Sequence, residues 1–388
     1  MSNLFMLNRK YRIGLVGTGF IASGLARLIK SSPDFEVSNI LTRRNSAHIT
    51  GFDTGLVTNS INQLVDNADI IFESSGDVVH ATEVVLAATN AQKKVITINS
   101  EFHVTTGSFF TRRGDFVTDA DGDQPGCLAR LNQDVIGMGF KPMAYVNIKG
   151  FINHNPEQKE MQYWANLQKL SLEQTVSFTD GTKLQVEQAF VANALNATIA
   201  PGGMTGARIE SLSDMDYLVR QAEAAGEPIS DFVLCKGAPP GVLIVAKSDE
   251  ADYLGDYTPV KPLRTKDGLA YILLRPYHLC HFEGLNTARK VIRGESMLIN
   301  NSAKPRLTVV AIAKRKIAQN EIIERGAGGF DVRGIAVHMK DYKNAVPICL
   351  LTHAKVVREL APDQVVSFDD VILDESRALE IYKQILDY

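Results

Sequence analysis

The sequence predicts an α/β protein with three parts: a doubly wound parallel sheet at the N-terminus, an α+β central domain and a small β-rich C-terminal module. From residue 11 to residue 150, short apolar runs alternate with helical stretches, which is typical of a parallel sheet covered on both faces. After residue 150, helical stretches come first and strand-like runs follow them. From residue 307, short β-branched runs are interrupted by glycines and charged residues. We therefore place the domains at residues 1–150, 151–305 and 306–388.

The first domain is expected to contain strands joined by helices. The strands are predicted at residues 11–16, 36–41, 70–73, 94–98 and 143–148, with helices at 21–30 and 80–89. Residues 13–16 are almost continuously apolar, which is typical of a central strand buried on both faces.

The same periodicities predict the elements of the other two domains. The central domain should contain helices at 156–170, 182–196, 213–225 and 286–293 and strands at 242–246 and 269–274. In the C-terminal module, strands are predicted at 307–313, 335–338, 346–351 and 365–368.

Composition excludes several classes of partner. The 388 residues carry a formal net charge of −3 and no concentrated basic stripe, so we do not expect a nucleic-acid partner. No run of about 18 uncharged apolar residues predicts a membrane span, and the first residues lack the pattern of a signal peptide. The four cysteines are far apart, as expected of reduced thiols. We therefore expect a cytoplasmic protein with a small-molecule substrate.

A glycine-rich turn follows the first predicted strand. Residues 17–22 read G-T-G-F-I-A, and this G-x-G-x-x-A pattern opens a helical stretch, which favours a Rossmann-type dinucleotide site over a ligand-free turn. The helix N-terminus would offer its N–H groups to a pyrophosphate. Ala22 and Gly24 are small enough for the helix to pack close to its strand. The expected contacts to the cofactor are Gly17, Gly19, Phe20 and Ile21.

The end of the second predicted strand favours NADP(H) over NAD(H). NAD-binding domains usually place Asp or Glu there to bind the ribose 2′-OH. Here the strand ends in Thr42, Arg43 and Arg44, without an acid. A hydroxyl and two guanidinium groups suit a 2′-phosphate, although the two arginines are also compatible with ordinary solvated surface charges.

Polar residues follow the next two predicted strands, where ligands bind in open α/β sheets. These residues are expected to border the nicotinamide, and they are equally compatible with loop-forming caps. They are Ser74, Ser75, Gly76, Asn99 and Glu101.

Two lysines and two acids are candidates for the chemistry. Lys149 follows a predicted strand, and Lys183 and Glu187 are four residues apart on one predicted helix, in the orientation that stabilises a helix less. We predict that one lysine donates the proton to a developing alkoxide, with its pKa lowered by the charge of the other. Asp180 or Glu187 would orient it. The alternative is that Asp180 caps the helix and Lys183 and Glu187 form a surface pair.

No metal site is predicted. His278, Cys280, His281 and Glu283 lie close together in the sequence. On a strand, however, His278 and Cys280 share one face while His281 points to the other, which is poor geometry for one ion.

The separated motifs together resemble the homoserine-dehydrogenase-like oxidoreductases that carry a C-terminal SAF domain, of which the 1-deoxy-D-xylulose 5-phosphate reductoisomerase-like enzymes are one branch. The resemblance spans nearly the whole chain. Besides the glycine-rich turn, it rests on residues 122–126 (G-D-Q-P-G), 179–183 (T-D-G-T-K), 191–194 (V-A-N-A), 275–279 (R-P-Y-H-L), 309–315 (V-V-A-I-A-K-R) and 328–330 (G-G-F).

The resemblance implies an NADP-binding Rossmann domain, a central catalytic and dimerising domain, and a SAF-like module. We expect an NADP(H)-dependent oxidoreductase that acts on a small polar carbonyl or alcohol, phosphorylated or sugar-derived, and that forms a homodimer or a higher homo-oligomer. The alternatives are reductoisomerase-like or homoserine-dehydrogenase-like activity and a non-catalytic nucleotide sensor.

Overall fold

The computed structural model describes residues 9–45, 49, 51–249 and 263–388. Its N-terminal half contains a six-stranded sheet with the strand order β3-β2-β1-β4-β5-β6, in which every pair is parallel. The strands are β1 (Tyr11–Val16), β2 (Phe35–Leu41), β3 (Val57–Thr58), β4 (Ile70–Glu73), β5 (Lys94–Thr97) and β6 (Val117–Asp119). The order reverses direction between β1 and β4, which creates a crevice at the carboxyl ends of these strands. The predicted α/β fold class is confirmed.

The helices of this half follow the strands as in a doubly wound fold. They are α1 (Phe20–Lys30), α2 (Ile61–Asn67), α3 (Val78–Asn90), α4 (Ser100–Phe102), α5 (Ser108–Arg113) and α6 (Gln124–Gly137). The turn between α4 and α5 is π-helical.

A second, mixed sheet has the order β11-β10-β7-β9-β8. Its strands are β7 (Lys141–Lys149), β8 (Ala207–Ile209), β9 (Ile229–Cys235), β10 (Gly241–Lys247) and β11 (Tyr271–Arg275). β7 is parallel to β9 and antiparallel to β10, so the last strand predicted before residue 150 belongs to this sheet. The associated helices are α7 (Gln158–Gln168), α8 (Leu172–Thr179), α9 (Thr182–Ala194), α10 (Asp216–Ala225) and α11 (Cys280–Ile292).

The C-terminal module is rich in short strands, as expected. β12 pairs with β14, and β13, β15 and β16 form a three-stranded antiparallel sheet. The elements are β12 (Leu307–Ala313), β13 (Ile322–Arg325), β14 (Val332–His338), β15 (Thr352–Val356), β16 (Val371–Ile372) and α12 (Arg377–Ile385).

Two strands predicted in this module differ from the structure. The segment 346–351 contains a short 3₁₀-helix, because Pro347 has no N–H to donate to a sheet, and the strand begins at Thr352 instead. Residues 365–368 form no strand of their own; Val365 and Ser367 make isolated bridges to Ile312 and Ala345.

One of the helices that cover the six-stranded sheet comes from a distant part of the chain. Helix α11 packs beside α1, and its Leu285 and Val291 join the core formed by Leu25 and Ile29 of α1. A Cβ at Gly24 would lie 2.4 Å from the His281 ring. Gly24 was expected to let α1 approach its own strand. The contact that requires this glycine is instead with α11.

In the part of the chain that is described, no helix is both long and apolar enough to cross a membrane. The segment 1–8, which belongs to the region in which no signal peptide is expected, lies outside the described residues.

Candidate active site

The glycine-rich turn has the backbone that a pyrophosphate requires. Gly17 has φ +99°, and a Cβ there would lie 3.1 Å from the carbonyl oxygen of Ser74. Gly19 is the N-cap of α1 and no side chain caps the helix; apart from its chain neighbours, no atom of the described residues lies within 4 Å of where its Cβ would be. The N–H groups of Phe20 and Ile21 belong to the first turn of α1, which is open to an anion. The turn therefore fits the phosphates of a dinucleotide.

The two arginines after β2 are not equivalent. Arg43 donates to Asp77 at 2.6 Å, although its side chain is 63% exposed. Arg44 is exposed and its guanidinium forms no ion pair within the described ranges. Thr42 is buried, and its hydroxyl accepts a hydrogen bond from the Arg44 N–H at 3.1 Å. The charge of Arg44 acts on Glu173 of α8 without a close ion pair, so Arg44 is the less tightly engaged of the two arginines and the better suited to a phosphate.

The loop after β4 is held by its own hydroxyls. Ser74 Oγ donates to the carbonyl of Val16 at 2.9 Å, and Ser75 donates through both N and Oγ to the buried carboxyl of Glu73, at 2.7 and 2.5 Å. Gly76 has φ +67° and is exposed. These hydroxyls serve as loop-forming caps, so the cofactor crevice would be bordered mainly by the backbone of this loop.

Asn99 and Glu101 follow β5 and have different roles. Asn99 is 1% exposed, and its Oδ1 caps α4 by accepting from the Phe102 N–H at 3.0 Å. Its Nδ2 has no short hydrogen bond among the described residues, but the Asn99 side chain acts on the buried carboxyl of Glu73 and opposes the rise of that group's pKa on burial. Glu101 accepts from Lys183 at 2.8 Å. This contact joins the edge of the six-stranded sheet to helix α9.

Lys183 lies among three carboxylates. Its Nζ is 2.8 Å from Glu101 Oε2 and 3.9 Å from Glu187 Oε1, and Asp123 is the third. Burial alone would lower the pKa of Lys183, but the charges of Glu101 and Asp123, and that of Glu187 when it is ionised, outweigh burial and raise the pKa above its usual value. The prediction that a second lysine lowers this pKa is therefore wrong. The ammonium stays charged and can only pass a proton on if another group replaces it.

Glu187 can be that group. Its side chain is 1% exposed, and Oε2 accepts a hydrogen bond from Asn147 Nδ2 at 2.9 Å. Burial raises the pKa of Glu187 to about 8, against the opposing effect of Lys183 and Lys149 and with a further contribution from Asp123. At neutral pH this carboxyl therefore holds a proton beside the Lys183 ammonium.

The structure brings Lys149 near this cluster, whereas Asp180 faces elsewhere. Lys149 ends β7, with its Nζ 5.7 Å from the centre of the Phe178 ring, and its charge acts on Glu187. Asp180 is buried and its Oδ2 accepts from Lys314 of the C-terminal module at 2.6 Å. Asp180 also follows α8 as its C-cap, while the N-cap of α9 is Gly181. Asp180 nevertheless caps α9, as expected, because its Oδ1 accepts from the N–H of Thr182, the first residue of that helix, at 2.9 Å; the capping carboxylate lies one residue before the N-cap position.

Several site residues were not singled out from the sequence. Asp123 accepts from Ser100 Oγ at 2.8 Å. With its amide nitrogen turned to the carboxylates, Gln124 donates to Asp123 Oδ1 at 3.2 Å and to Glu187 Oε1 at 3.3 Å. His278 Nε2 then lies 3.4 Å from the oxygen of this amide. The G-D-Q-P-G and R-P-Y-H-L motifs contain three of these residues, so the signal was present without an assigned role.

The start of α6 depends on a close backbone contact. A Cβ at Gly126 would lie 1.9 Å from the carbonyl oxygen of Ala120. Only glycine allows α6 to begin this close to the end of β6. This contact sets the position of Asp123 and Gln124 at the edge of the sheet.

The side chains around His278 do not converge on one point. His278 Nδ1 is 3.9 Å from Cys280 Sγ, but His281 packs against Phe20 and Phe282. Another group with suitable atoms occurs in the described chain, formed by Asp121, Cys127 and Glu283. Arg275 pairs with both carboxylates of this group, at 2.8 Å from Asp121, so a guanidinium already supplies the positive charge.

Comparison with known proteins gives a match for the segment that contains Lys183 and Glu187. Residues 122–284 match the family model described as the catalytic domain of oxidoreductase DRL. The matched segment contains Asp123, Gln124, Lys149, Lys183 and Glu187, whereas Ser100 and Glu101 precede it. The matched segment is therefore similar to an oxidoreductase catalytic domain, in agreement with the predicted class of enzyme. A search of curated proteins finds no match.

Solved structures resemble the chain only distantly. An NAD-binding protein from Listeria innocua is 12% identical, with a TM-score of 0.36, over 76% of this chain and 92% of that one. Biliverdin reductase from Synechocystis sp. PCC 6803, in complex with biliverdin and NADP+, is 14% identical with a TM-score of 0.27 over 38% of this chain. An oxidoreductase from Agrobacterium radiobacter, in complex with NAD+, L-tartaric acid and magnesium, is 14% identical with a TM-score of 0.30 over 37% of this chain. The chain spans about half the length of the last two, at 49% and 46%.

Proposed function

We propose that this protein is an NADP(H)-dependent oxidoreductase that interconverts a carbonyl and an alcohol in a small polar substrate of the sugar or sugar-phosphate type. One observation carries the proposal: the Lys183 ammonium and the Glu187 carboxyl, whose pKa burial raises to about 8, lie together at the carboxyl edge of the six-stranded sheet, beside the residues that follow β5 and β6. Carbonyl reduction needs a positive charge and a proton at the developing alkoxide. Lys183 and Glu187 supply both.

The dinucleotide would be held by residues of the N-terminal half. Gly17 and Gly19 leave room for the pyrophosphate, and Arg44 is available for a 2′-phosphate. The buried amide of Asn99 lies beside the Glu73 carboxyl at the end of β5, and its Nδ2 would suit the carboxamide oxygen of a nicotinamide. When bound, NADPH supplies the hydride from C4 of the nicotinamide.

The proton route follows from the contacts of Lys183. As the substrate oxygen becomes an alkoxide, Lys183 Nζ donates a proton to it. The proton of Glu187 Oε1, 3.9 Å away, then restores the ammonium. Glu101 keeps Lys183 in place at 2.8 Å, and Asn147 orients Glu187 through Oε2. General acid catalysis of this kind contributes about 10²- to 10⁴-fold to the rate.

The decisive test is hydride transfer itself. NADPH deuterated at C4 is incubated with a panel of small polar ketones and aldehydes, including sugar phosphates, and the products are analysed by mass spectrometry. Deuterium on a carbinol carbon is expected for one class of substrate. Tight NADPH binding without transfer across the panel would favour a nucleotide sensor and refute the proposal.

The rate of reduction should fall in alkaline solution. Glu187 must be protonated to replenish Lys183, and burial raises its pKa to about 8, so kcat for reduction declines as the pH rises through that value. For alcohol oxidation the dependence is reversed. Stopped-flow measurement of NADPH absorbance between about pH 6 and 10 tests this expectation. In Glu187→Gln the inflection near that value should disappear, and its persistence would assign it to another group.

Arg44 should determine the preference for the phosphorylated cofactor. Arg44→Ala removes a guanidinium that forms no ion pair among the described residues, although its charge acts on Glu173, and we expect the Kd of NADPH to rise about 10- to 100-fold with the Kd of NADH unchanged. Fluorescence titration measures both. Arg43→Ala is the matched control, because Arg43 is already engaged by Asp77 and its loss should cost less. Equal weakening of both cofactors in Arg44→Ala would contradict the assignment.

The sequence resemblance and the composition extend the proposal. The order of the motifs supports kinship with the homoserine-dehydrogenase-like enzymes and a SAF-like C-terminal module. A homodimer or higher homo-oligomer and a cytoplasmic location belong to the same proposal.

A further inference from the structure

Helix α9 has hydrogen bonds to the C-terminal module along its length. Thr182 Oγ1 accepts from the N–H of Gly334 at 3.0 Å, and Gln185 Oε1 accepts from the N–H of Ala336 at 2.8 Å. At the other end, Asn193 donates to the carbonyl of Leu307 and accepts from its N–H, both at 2.9 Å. These bonds join α9 to β14 and β12. They fix both the rotation of the helix and its position along its own axis.

A buried ion pair fixes the point at which α9 begins. Lys314 and Asp180 are 3% and 0% exposed and 2.6 Å apart. Lys314 Nζ also donates to the carbonyl of Gly329 at 2.9 Å, and Asp180 Oδ1 accepts from the Thr182 N–H at 2.9 Å. A charge pair without access to water tolerates little displacement, because separating it leaves a buried charge uncompensated. The first turn of α9 is therefore tied to the C-terminal module just before Lys183.

The surfaces in contact are also closely fitted. A Cβ at Gly334 would lie 2.8 Å from Val309 Cγ1 and 3.0 Å from Thr182 Cγ2. β14 can lie this close to α9 only because position 334 has no side chain. The helix consequently has little freedom to slide along the strand.

We propose that the C-terminal module is part of the catalytic apparatus, because it positions α9 so that Lys183 and Glu187 meet Glu101 of the N-terminal half. Thr182, Gln185 and the Asp180–Lys314 pair are positioning residues in this view. The inference rests on the proposed function for its kinetic consequence. The structural part of the inference does not depend on that function. It states that the contact between Lys183 and Glu101 at 2.8 Å depends on the hydrogen bonds from α9 to β12 and β14, which are made on another side of the helix. A displacement of about 1 Å in a catalytic group can cost 10²-fold in rate.

Thr182→Val tests the proposal with little change in volume. The variant lacks the acceptor for the Gly334 N–H, so that group is left unpaired or α9 shifts to pair it elsewhere. We expect kcat to fall at least about 10-fold while the Kd of NADPH is unchanged. Thr182→Ser retains the hydroxyl and should restore kcat. If Thr182→Val does not fold, Gln185→Met removes the half-buried acceptor at the next contact and serves the same purpose.

The matched control weakens the same module without touching α9. Tyr382→Phe removes a buried hydroxyl that lies 3.2 Å from Thr308 Oγ1, in a contact between α12 and β12. A similar loss of stability is expected, with kcat unchanged. If Tyr382→Phe lowers kcat as much as Thr182→Val does, general loosening of the module explains the effect and the proposal is overturned.

A second measurement does not depend on turnover. The infrared carbonyl band of protonated Glu187, identified by its loss in Glu187→Gln, should titrate near a pKa of about 8 in the wild-type protein. The midpoint should move in Thr182→Val, because the distances from Glu187 to Lys183, Lys149, Glu101 and Asp123 change, and it should stay in place in Tyr382→Phe. An unmoved midpoint in Thr182→Val refutes the inference. A moved midpoint in a protein that turns over no substrate supports the inference and refutes the proposed function.

Discussion

Replacing Lys183 by methionine should lower kcat by about 10²- to 10⁴-fold while leaving the affinity for NADPH unchanged. Methionine approximates the length of the lysine stem but removes the ammonium, so nothing stabilises the developing alkoxide or relays the proton. The dinucleotide contacts expected at Gly17, Gly19 and Arg44 are untouched. Steady-state kinetics and fluorescence titration measure the two quantities separately.

Lys149→Met is the comparison for this variant. Lys149 is also a cation of the site, but its Nζ lies over the Phe178 ring rather than between carboxylates. We expect the Lys149→Met substitution to raise KM for an anionic or hydroxylated substrate more than it lowers kcat. Normal turnover in Lys183→Met, or a greater loss of kcat in Lys149→Met, would transfer the role of proton donor away from Lys183.

Lys314→Met should lower the free energy of unfolding by about 3–5 kcal/mol near neutral pH, because it leaves Asp180 buried without its partner. The loss should depend on pH. Burial raises the pKa of Asp180, and without Lys314 to oppose it the pKa of the folded state rises further above the unfolded value. Such a group favours the folded state at low pH, and that stability is lost as the pH rises through the folded pKa. Urea denaturation at about pH 4 should therefore show a smaller deficit than at about pH 8.

Two further variants control this experiment. Arg377→Met breaks the exposed pair with Glu380, with side chains 54% and 57% exposed, and should cost less than about 1 kcal/mol. Asp180→Asn combined with Lys314→Met removes both charges and should recover part of the loss. A deficit in Lys314→Met that is no larger than that of Arg377→Met at either pH would show that the buried pair contributes little to stability.

The parts of the site that follow from local pattern were predictable from the sequence. The spacing of Gly17 and Gly19 after an apolar strand specifies the turn, because few other residues tolerate that backbone. The i, i+4 spacing placed Lys183 and Glu187 on one helical face, and the structure brings them together. Their burial was not predictable, because it depends on what lies opposite the helix.

The errors concern partners that are distant in the sequence. Asp180 was interpreted by its proximity to Lys183, but its partner Lys314 lies 134 residues away. The predicted direction of the pKa shift at Lys183 was wrong because two acids from other elements, Glu101 of α4 and Asp123 just before α6, lie close to its ammonium. A single sequence contains no periodicity that reports such contacts. Only the tertiary fold determines which charge faces which.

Helix α11 has a consequence for synthesis on the ribosome. It supplies Leu285 and Val291 to the core beside β1 and α1, yet it is translated after the whole central domain. A nascent chain that ends at residue 150 contains Leu25 and Ile29 but lacks the α11 side chains that complete their core. The N-terminal half therefore reaches its full set of core contacts only after residue 292 has been translated.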